Sequence, residues 1–258
     1  MPAAWVAHRM TGVWAANVAP TAVATASPNP ASAVTDVITL TGTASTDPAP
    51  GMIRSYLWEY VSGDRTGVIA DDAAGVTTFT PAAAGITDSF NRADSTTTLG
   101  TADTGQVWTV HAGTGGIETN TGRNFAAATL VASVDFAATN MVTQVTTSTL
   151  PAGSNGTGVA GRLTDGSNFY LAQNQASAGA FEVYKCVGGT FTLLGSVSGG
   201  GANGDIVKLV TNGSTISGHR NGVSQVSVTD TAITTGNRAG IRMDAQASRV
   251  DVFSVAAP

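Results

Sequence analysis

From Leu130 to the C-terminus the sequence is a succession of short alternating runs, each closed by a turn signal. The runs TLVASVDF, MVTQVTTSTL, GVAGRL, FYLAQ, AFEVYKCV, TLLGSV, DIVKLVT, TISGHR, SQVSVTD, AGIRMD and RVDVFSVA follow one another with no helix-length segment between them. Alternation of period two is the signature of a half-buried strand. TNGST and RNGVS carry Asn-Gly, and CVGGTF carries Gly-Gly, the dipeptides that close two-residue hairpins. About a dozen strands joined this way predict an all-β segment of two facing antiparallel sheets.

Composition agrees with strands and narrows the function. Of 258 residues only 11% are charged and 6% aromatic, while the apolar 42% comes largely from Ala and Val. The core is therefore expected to be built of small and β-branched side chains. The formal charge is −5, Lys occurs only at 185 and 208, and the ten Arg are scattered. A nucleic-acid surface needs clustered cations, so no nucleic-acid partner is expected. No window reaches the roughly 18 apolar residues of a membrane span, so no membrane insertion is expected. The start, MPAAWVAHRMTGVW, lacks a basic leader, and His8 and Arg9 interrupt its apolar run, so it does not read as a secretory signal. The single Cys186, in FEVYKCV, excludes an internal disulfide framework and reads as a small apolar strand residue.

Three segments follow. Residues 1–19 read as a docking arm. Val6, Met10, Val13 and Trp14 have helix-like spacing there, weakened by Gly12. Trp5, Met10 and Trp14 are the candidate docking residues, because tryptophans are costly to leave in water. Residues 20–86 read as a small β unit in which IRSYLWEYVSG sets Tyr56, Trp58 and Tyr60 on one strand face. LTGTASTDPAPGMIRSYLWEYVSG (40–63) and TTFTPAAAG (77–85) resemble the PKD-like domains of the immunoglobulin-like class. That resemblance implies two further strands closing the sandwich, yet the chain runs directly into ITDSFNRAD. An open sheet edge needs cover, and the arm, the second domain or a neighbouring copy is expected to supply it.

Residues 87–258 form the larger domain. DSFNRADSTTTLGTADTGQVW (88–108) and GNRAGIRMDAQASRVDVFSV (236–255) resemble the two ends of a concanavalin A-like lectin/glucanase jelly roll, in its laminin-G-like variety. The resemblance implies that the first and last strands lie together.

Candidate chemistry is sparse. Glucanases of that fold carry Glu-x-Asp-x-x-Glu on one strand, and retaining pairs sit about 5 Å apart. The only glutamates are Glu59, Glu118 and Glu182, none in such a pattern, and Asp135 and Asp244 lack an acidic neighbour two positions away. No Gly-x-Ser-x-Gly elbow occurs, and the glycine-rich SVSGGGANGD reads as a loop. No catalytic residue and no cofactor is expected. The resemblance implies a possible structural calcium held by Asp251, with Asp88 as a second candidate; the alternative for Asp251 is an ion pair with Arg249 or Arg92. For sugar binding, rings that stack and planar polar groups are required. Arg162, Tyr170 and Asn174 with Tyr184 are the candidate set, against the alternative that both tyrosines pack in the core.

An extracellular style of β domain without disulfides or a signal sequence fits a particle released by lysis. The Ala/Thr/Gly-rich, Arg-over-Lys composition resembles that of phages of high-GC hosts. The expectation is a non-enzymatic bacteriophage virion protein, a minor tail or tail-tip component on the particle surface. Its arm and small domain would dock to other virion proteins or copies of itself, and its jelly roll would attach to host glycans. A capsid decoration protein and a stand-alone bacterial adhesin are the alternatives.

Overall fold

A computed structural model describes residues 4–7, 21–27, 37–47, 53, 55–62, 67–81, 85–153, 155–176 and 179–258. The chain forms two compact units, Met1–Ala84 and Gly85–Pro258. Every regular element among the described residues is a strand, and no helix there is long and apolar enough to cross a membrane.

The first unit contains β1 (Ala4–Ala7), β2 (Thr25–Ser27), β3 (Ile38–Thr41), β4 (Trp58–Ser62), β5 (Gly67–Ile69) and β6 (Val76–Pro81). One sheet has the order β2-β3-β6-β5, the other pairs β1 with β4. If β2 is taken as strand A, the first order reads A-B-E-D, as in an immunoglobulin-type sandwich, and β4 takes the place of C. Trp58 fills the core between Ile38, Leu40 and Phe79 and is 3% exposed. Its indole N–H is satisfied by the Ala74 carbonyl at 2.8 Å, the partner a buried tryptophan requires. Beside β4, where a closing hairpin would lie, the arm contributes β1, antiparallel from Ala4↔Ser62 to Ala7↔Trp58 with one register shift between Ala4 and Trp5. The arm is thus a strand at Val6 rather than a helical turn: the unpaired backbone of β4 offers hydrogen bonds that outweigh a weak local period. Trp5 lies in this strand, its side chain outside the description; Met10 and Trp14 lie outside the described residues.

The second unit contains fifteen described strands. They are β7 (Ile86–Asp88), β8 (Thr109–Ala112), β9 (Gly115–Glu118), β10 (Thr121–Asn124), β11 (Leu130–Asp135), β12 (Met141–Thr149), β13 (Thr157–Asp165) and β14 (Asn168–Asn174). After them come β15 (Ala180–Val187), β16 (Thr190–Ser198), β17 (Ile206–Asn212), β18 (Thr215–Arg220), β19 (Val223–Thr229), β20 (Arg238–Met243) and β21 (Arg249–Ala256). They make two antiparallel sheets. One runs β19-β18-β17-β12-β21-β10-β9, with β7 also on β21; the other runs β16-β15-β14-β13-β20-β11-β8. The turn chemistry sets the hairpins. Gly188-Gly189 and Asn221-Gly222 both have positive φ at each position, the type I′ geometry. The TNGST turn differs: Asn212 pairs with Thr215, so the central pair is Gly213-Ser214 and only Gly213 has positive φ, 53°. Between the sheets, Met141, Val145, Val159, Phe181, Val183 and Leu209 are fully buried. Close approach demands Gly218, where an added Cβ would lie 2.5 Å from Val183 and 2.7 Å from Phe181.

The first and last strands pair, Ile86↔Val255 to Asp88↔Phe253. The segment DSFNR folds over this junction around one carboxylate. Asp88 is 1% exposed. Its Oδ1 accepts from the Phe90 amide at 2.8 Å and Arg92 Nη1 at 2.9 Å. Its Oδ2 accepts from Arg92 Nη2 and the Trp108 indole, both at 2.6 Å. Arg92 Nε then reaches the Leu99 carbonyl at 2.9 Å. Trp108 stands edge-on to Phe253 of the last strand, centroids 5.0 Å apart, and 5.8 Å from Phe90.

Replacing Asp88 by Ala strands the Trp108 N–H and an arginine in a dry site. Breaking a buried pair from one side costs about 3–5 kcal/mol, so the unfolding midpoint should fall by roughly 10 °C. Calorimetry of Asp88→Ala beside Asp103→Ala, whose carboxylate is largely exposed, checks this; equal midpoints would show that the junction is held by packing alone.

Candidate functional site

Opposed residues of an antiparallel pair share a face, and the registers of the seven-stranded sheet therefore define its outer surface. One cross-strand row runs Val131 (β11), Arg242 (β20), Gly158 (β13), Gln173 (β14), Glu182 (β15) and Ser196 (β16). The next runs Ser133, Gly240, Ala160, Leu171, Tyr184 and Leu193. Beneath them Val131, Ala160, Leu163, Phe169, Leu171 and Cys186 form an apolar floor, with Tyr184 packed against it. This is a second apolar layer, on the face turned away from the partner sheet.

The first row carries the polar chemistry. Gly158 places no side chain between Arg242 and Gln173, so the guanidinium crosses over β13 and Nη1 donates to Gln173 Oε1 at 2.9 Å. A Cβ at Gly158 would sit 1.9 Å from the Ala172 carbonyl oxygen. The same guanidinium clamps Asp244, at 2.6 Å and 2.9 Å. Asp244 also accepts from the Gly156 amide at 3.0 Å and the Thr129 hydroxyl at 3.1 Å. Gln173 Nε2 and Gln175 Nε2 both donate to Glu182 Oε2 at 2.9 Å. Arg242 lies over the Phe191 ring, 4.8 Å from its centroid, and its Nε is buried without a partner. Phe191 is 42% exposed and meets Phe169 and Tyr184 edge-on. Burial, and then the negative charge of Glu182, push the Tyr184 hydroxyl above its ordinary value, so it remains a donor and acceptor at neutral pH. A guanidinium, two carboxylates and two amides beside a half-exposed ring make a surface for hydroxyl-rich ligands.

Of the four sugar-binding residues expected from the sequence, only Tyr184 stands here. Arg162 and Tyr170 occur together on the inner side. Arg162 is 3% exposed and spends its guanidinium on the Thr139, Ile233 and Gly213 carbonyls and Asn140 Oδ1. Tyr170 is fully buried; its hydroxyl donates to Asp230 at 2.6 Å and accepts from the Ile233 amide at 3.2 Å. Burial first, then Asp230, push it up to about 12. Burial alone would raise Asp230, but Lys185 at 2.6 Å, Tyr170 and the Ala232 amide outweigh it and hold that carboxyl below the usual range. Asn174, also fully buried, accepts from Arg220 Nε at 2.9 Å. These three tie loops together, and the residues that face outward are their neighbours in sequence, one position out of phase: Phe169, Leu171 and Gln173.

The calcium expectation meets a different arrangement. Every carboxylate oxygen of Asp88 is taken by donors, and Arg92 pairs with it rather than with Asp251. Arg249 pairs with Glu118, as does Arg123. Asp251 accepts from the Val252 amide. Among the described residues no group of three or more His, Cys, Asp or Glu could hold a metal ion.

No family model matches the chain, and no curated protein matches it. Among solved structures, the carbohydrate-binding module CBM66 from Bacillus subtilis superposes with a TM-score of 0.50 at 13% identity, over 56% of this chain and 91% of that one. The larger unit is a concanavalin A-like sandwich. The GH43 protein BlXynB from Bacillus licheniformis has a TM-score of 0.50 at 14% identity, over 86% of this chain and 50% of that one. This chain thus spans half the length of that glycoside hydrolase family member. The sandwich brings Glu182 and Asp244 to one face from different strands, an assembly that no acidic motif in the sequence announces.

The face also carries a histidine. His111 Nε2 meets the Ser133 hydroxyl at 2.8 Å, and Arg238 Nε donates to that same hydroxyl at 2.8 Å. Burial, then Arg238, lower the His111 pKa; burial, then Lys208, lower that of His219. The unfolded chain therefore takes up protons near pH 6.5 before the folded chain does, and folding stability is lost as pH falls below that value through the lowered ones. Urea midpoints should be higher at pH 7.5 than at 5.5, and His111→Gln should narrow the gap; a flat profile would contradict the burial of these rings.

Proposed function

We propose that this chain is a non-catalytic glycan-binding protein that uses the outer face of its seven-stranded sheet. The observation that carries the reading is the row Arg242–Gln173–Glu182 with Asp244, rimmed by the half-exposed Phe191. The likeness of its fold to a carbohydrate-binding module supports it. Both carboxylates on the face are committed: Asp244 accepts four hydrogen bonds, and Glu182 accepts from two amides and the Tyr184 hydroxyl. Neither is placed as a free acid poised over a leaving group. The likeness to a GH43 protein makes turnover the natural control.

The setting we propose is a bacteriophage virion, with the chain as a minor tail or tail-tip protein facing the host envelope. Its composition, low in lysine and rich in Ala, Thr and Gly, supports this. The first unit would be a PKD-like domain whose closing strand is supplied by the arm, an arrangement consistent with the β1–β4 pairing. Partners would be other virion proteins or copies of itself.

Two measurements test these readings. On a glycan array followed by calorimetry, the full chain should retain oligosaccharides. Phe191→Ala should weaken them about tenfold, about 1.4 kcal/mol, with an unchanged unfolding midpoint. No retained glycan, or release of reducing ends during incubation, would overturn the binding reading. Separately, deleting residues 1–19 should abolish incorporation into particles while the second unit keeps its glycan binding; normal incorporation would point to a stand-alone adhesin.

A further inference from the structure

We propose that Glu182 makes the outer face selective for uncharged glycans and against those carrying carboxylate groups. This rests on the reading of that face as the glycan site and goes beyond it by naming the class of sugar admitted. The charges along the row are unequal in their freedom. Arg242 is closed on Asp244 by both terminal nitrogens. Arg238 lies outside the row, two strand positions beyond Gly240 and opposite Asp135 in the register, and donates through Nε and Nη2 to Ser133 and Thr109. Glu182 has no ion pair among the described residues; the hydrogen bonds to its carboxylate come from neutral groups, the amides of Gln173 and Gln175 and the Tyr184 hydroxyl. The row therefore holds one carboxylate in excess, on β15, while its guanidinium stacks on Phe191.

A sugar hydroxyl can donate to a carboxylate dressed this way. A uronate meets a like charge and finds no free cation to answer it, because the guanidinium within reach is already bidentate. The chain's formal charge of −5 acts in the same direction, though at physiological salt it is screened beyond about 8 Å. Discrimination should therefore arise locally, and one neutral isostere should remove it.

The test uses the full chain and matched pairs of probes: each neutral oligosaccharide retained on the array, and the same oligosaccharide oxidised at C6 to the uronate. The oxidised member should bind at least about tenfold more weakly at low ionic strength. The gap should shrink as sodium chloride is raised, a readout that needs no variant. In Glu182→Gln the gap, read as the ratio of the two affinities within the same variant, should close to about twofold whatever the variant costs the neutral member. Equal binding of both members by the wild-type chain, or a gap that Glu182→Gln leaves intact, would overturn the selectivity while leaving the glycan site standing. Binding of neither member would overturn the glycan reading itself.

Discussion

One carboxylate closes the larger unit. Asp88 stands at the end of the first strand, opposite Phe253 of the last, and each of its oxygens accepts two hydrogen bonds from inside the fold. Its buried charge is tolerable because Arg92 answers it bidentately and the Trp108 indole and Phe90 amide complete the shell. The rings that surround it, Phe90, Trp108 and Phe253, come from three separate stretches of chain. This interaction thus pins the first and last strands of the unit side by side.

The candidate site depends on a second economy, the absence of a side chain at Gly158. One strand, β13, lies between Arg242 on β20 and Gln173 on β14, a distance that side chains of a sheet do not usually bridge. Over a glycine the guanidinium lies flat and reaches across. The outcome is a polar row beside the apolar cluster of the same face. The first unit solves a comparable problem differently: β4 lacks a closing neighbour from its own end of the segment, and the N-terminal strand supplies one.

Much of the fold was legible because strands advertise themselves locally. Alternation located β11 to β21, and the glycine-bearing turns located the hairpins, with a one-residue difference at Gly213-Ser214. Trp58, set by alternation on one strand face, fills the core of the first unit. At Val6 the chain is a strand, since pairing with β4 supplies backbone partners; the rest of that helix-like spacing, Met10, Val13 and Trp14, lies outside the described residues. The site was less legible. The stretch NFYLAQNQ contains two alternating faces, and the more conspicuous polar and aromatic set, Tyr170 and Asn174, is the inward one. Each is buried because it satisfies loops from across the sandwich, through Asp230 and Arg220, and those partners lie 46 or more residues away.

The sequence by itself determined that the described part of this chain would be strands and turns; that the first and last strands of the second unit would meet was implied by the resemblance of its two end segments to a jelly roll. Period and turn chemistry act over short spans, so they are written into neighbouring residues. Only the tertiary structure decided which phase of each strand faces outward, that Glu182 and Asp244 share a surface, and that Arg242 bridges them through Gln173. A strand's alternation is symmetric between its two faces; the choice is made when the second sheet covers one of them.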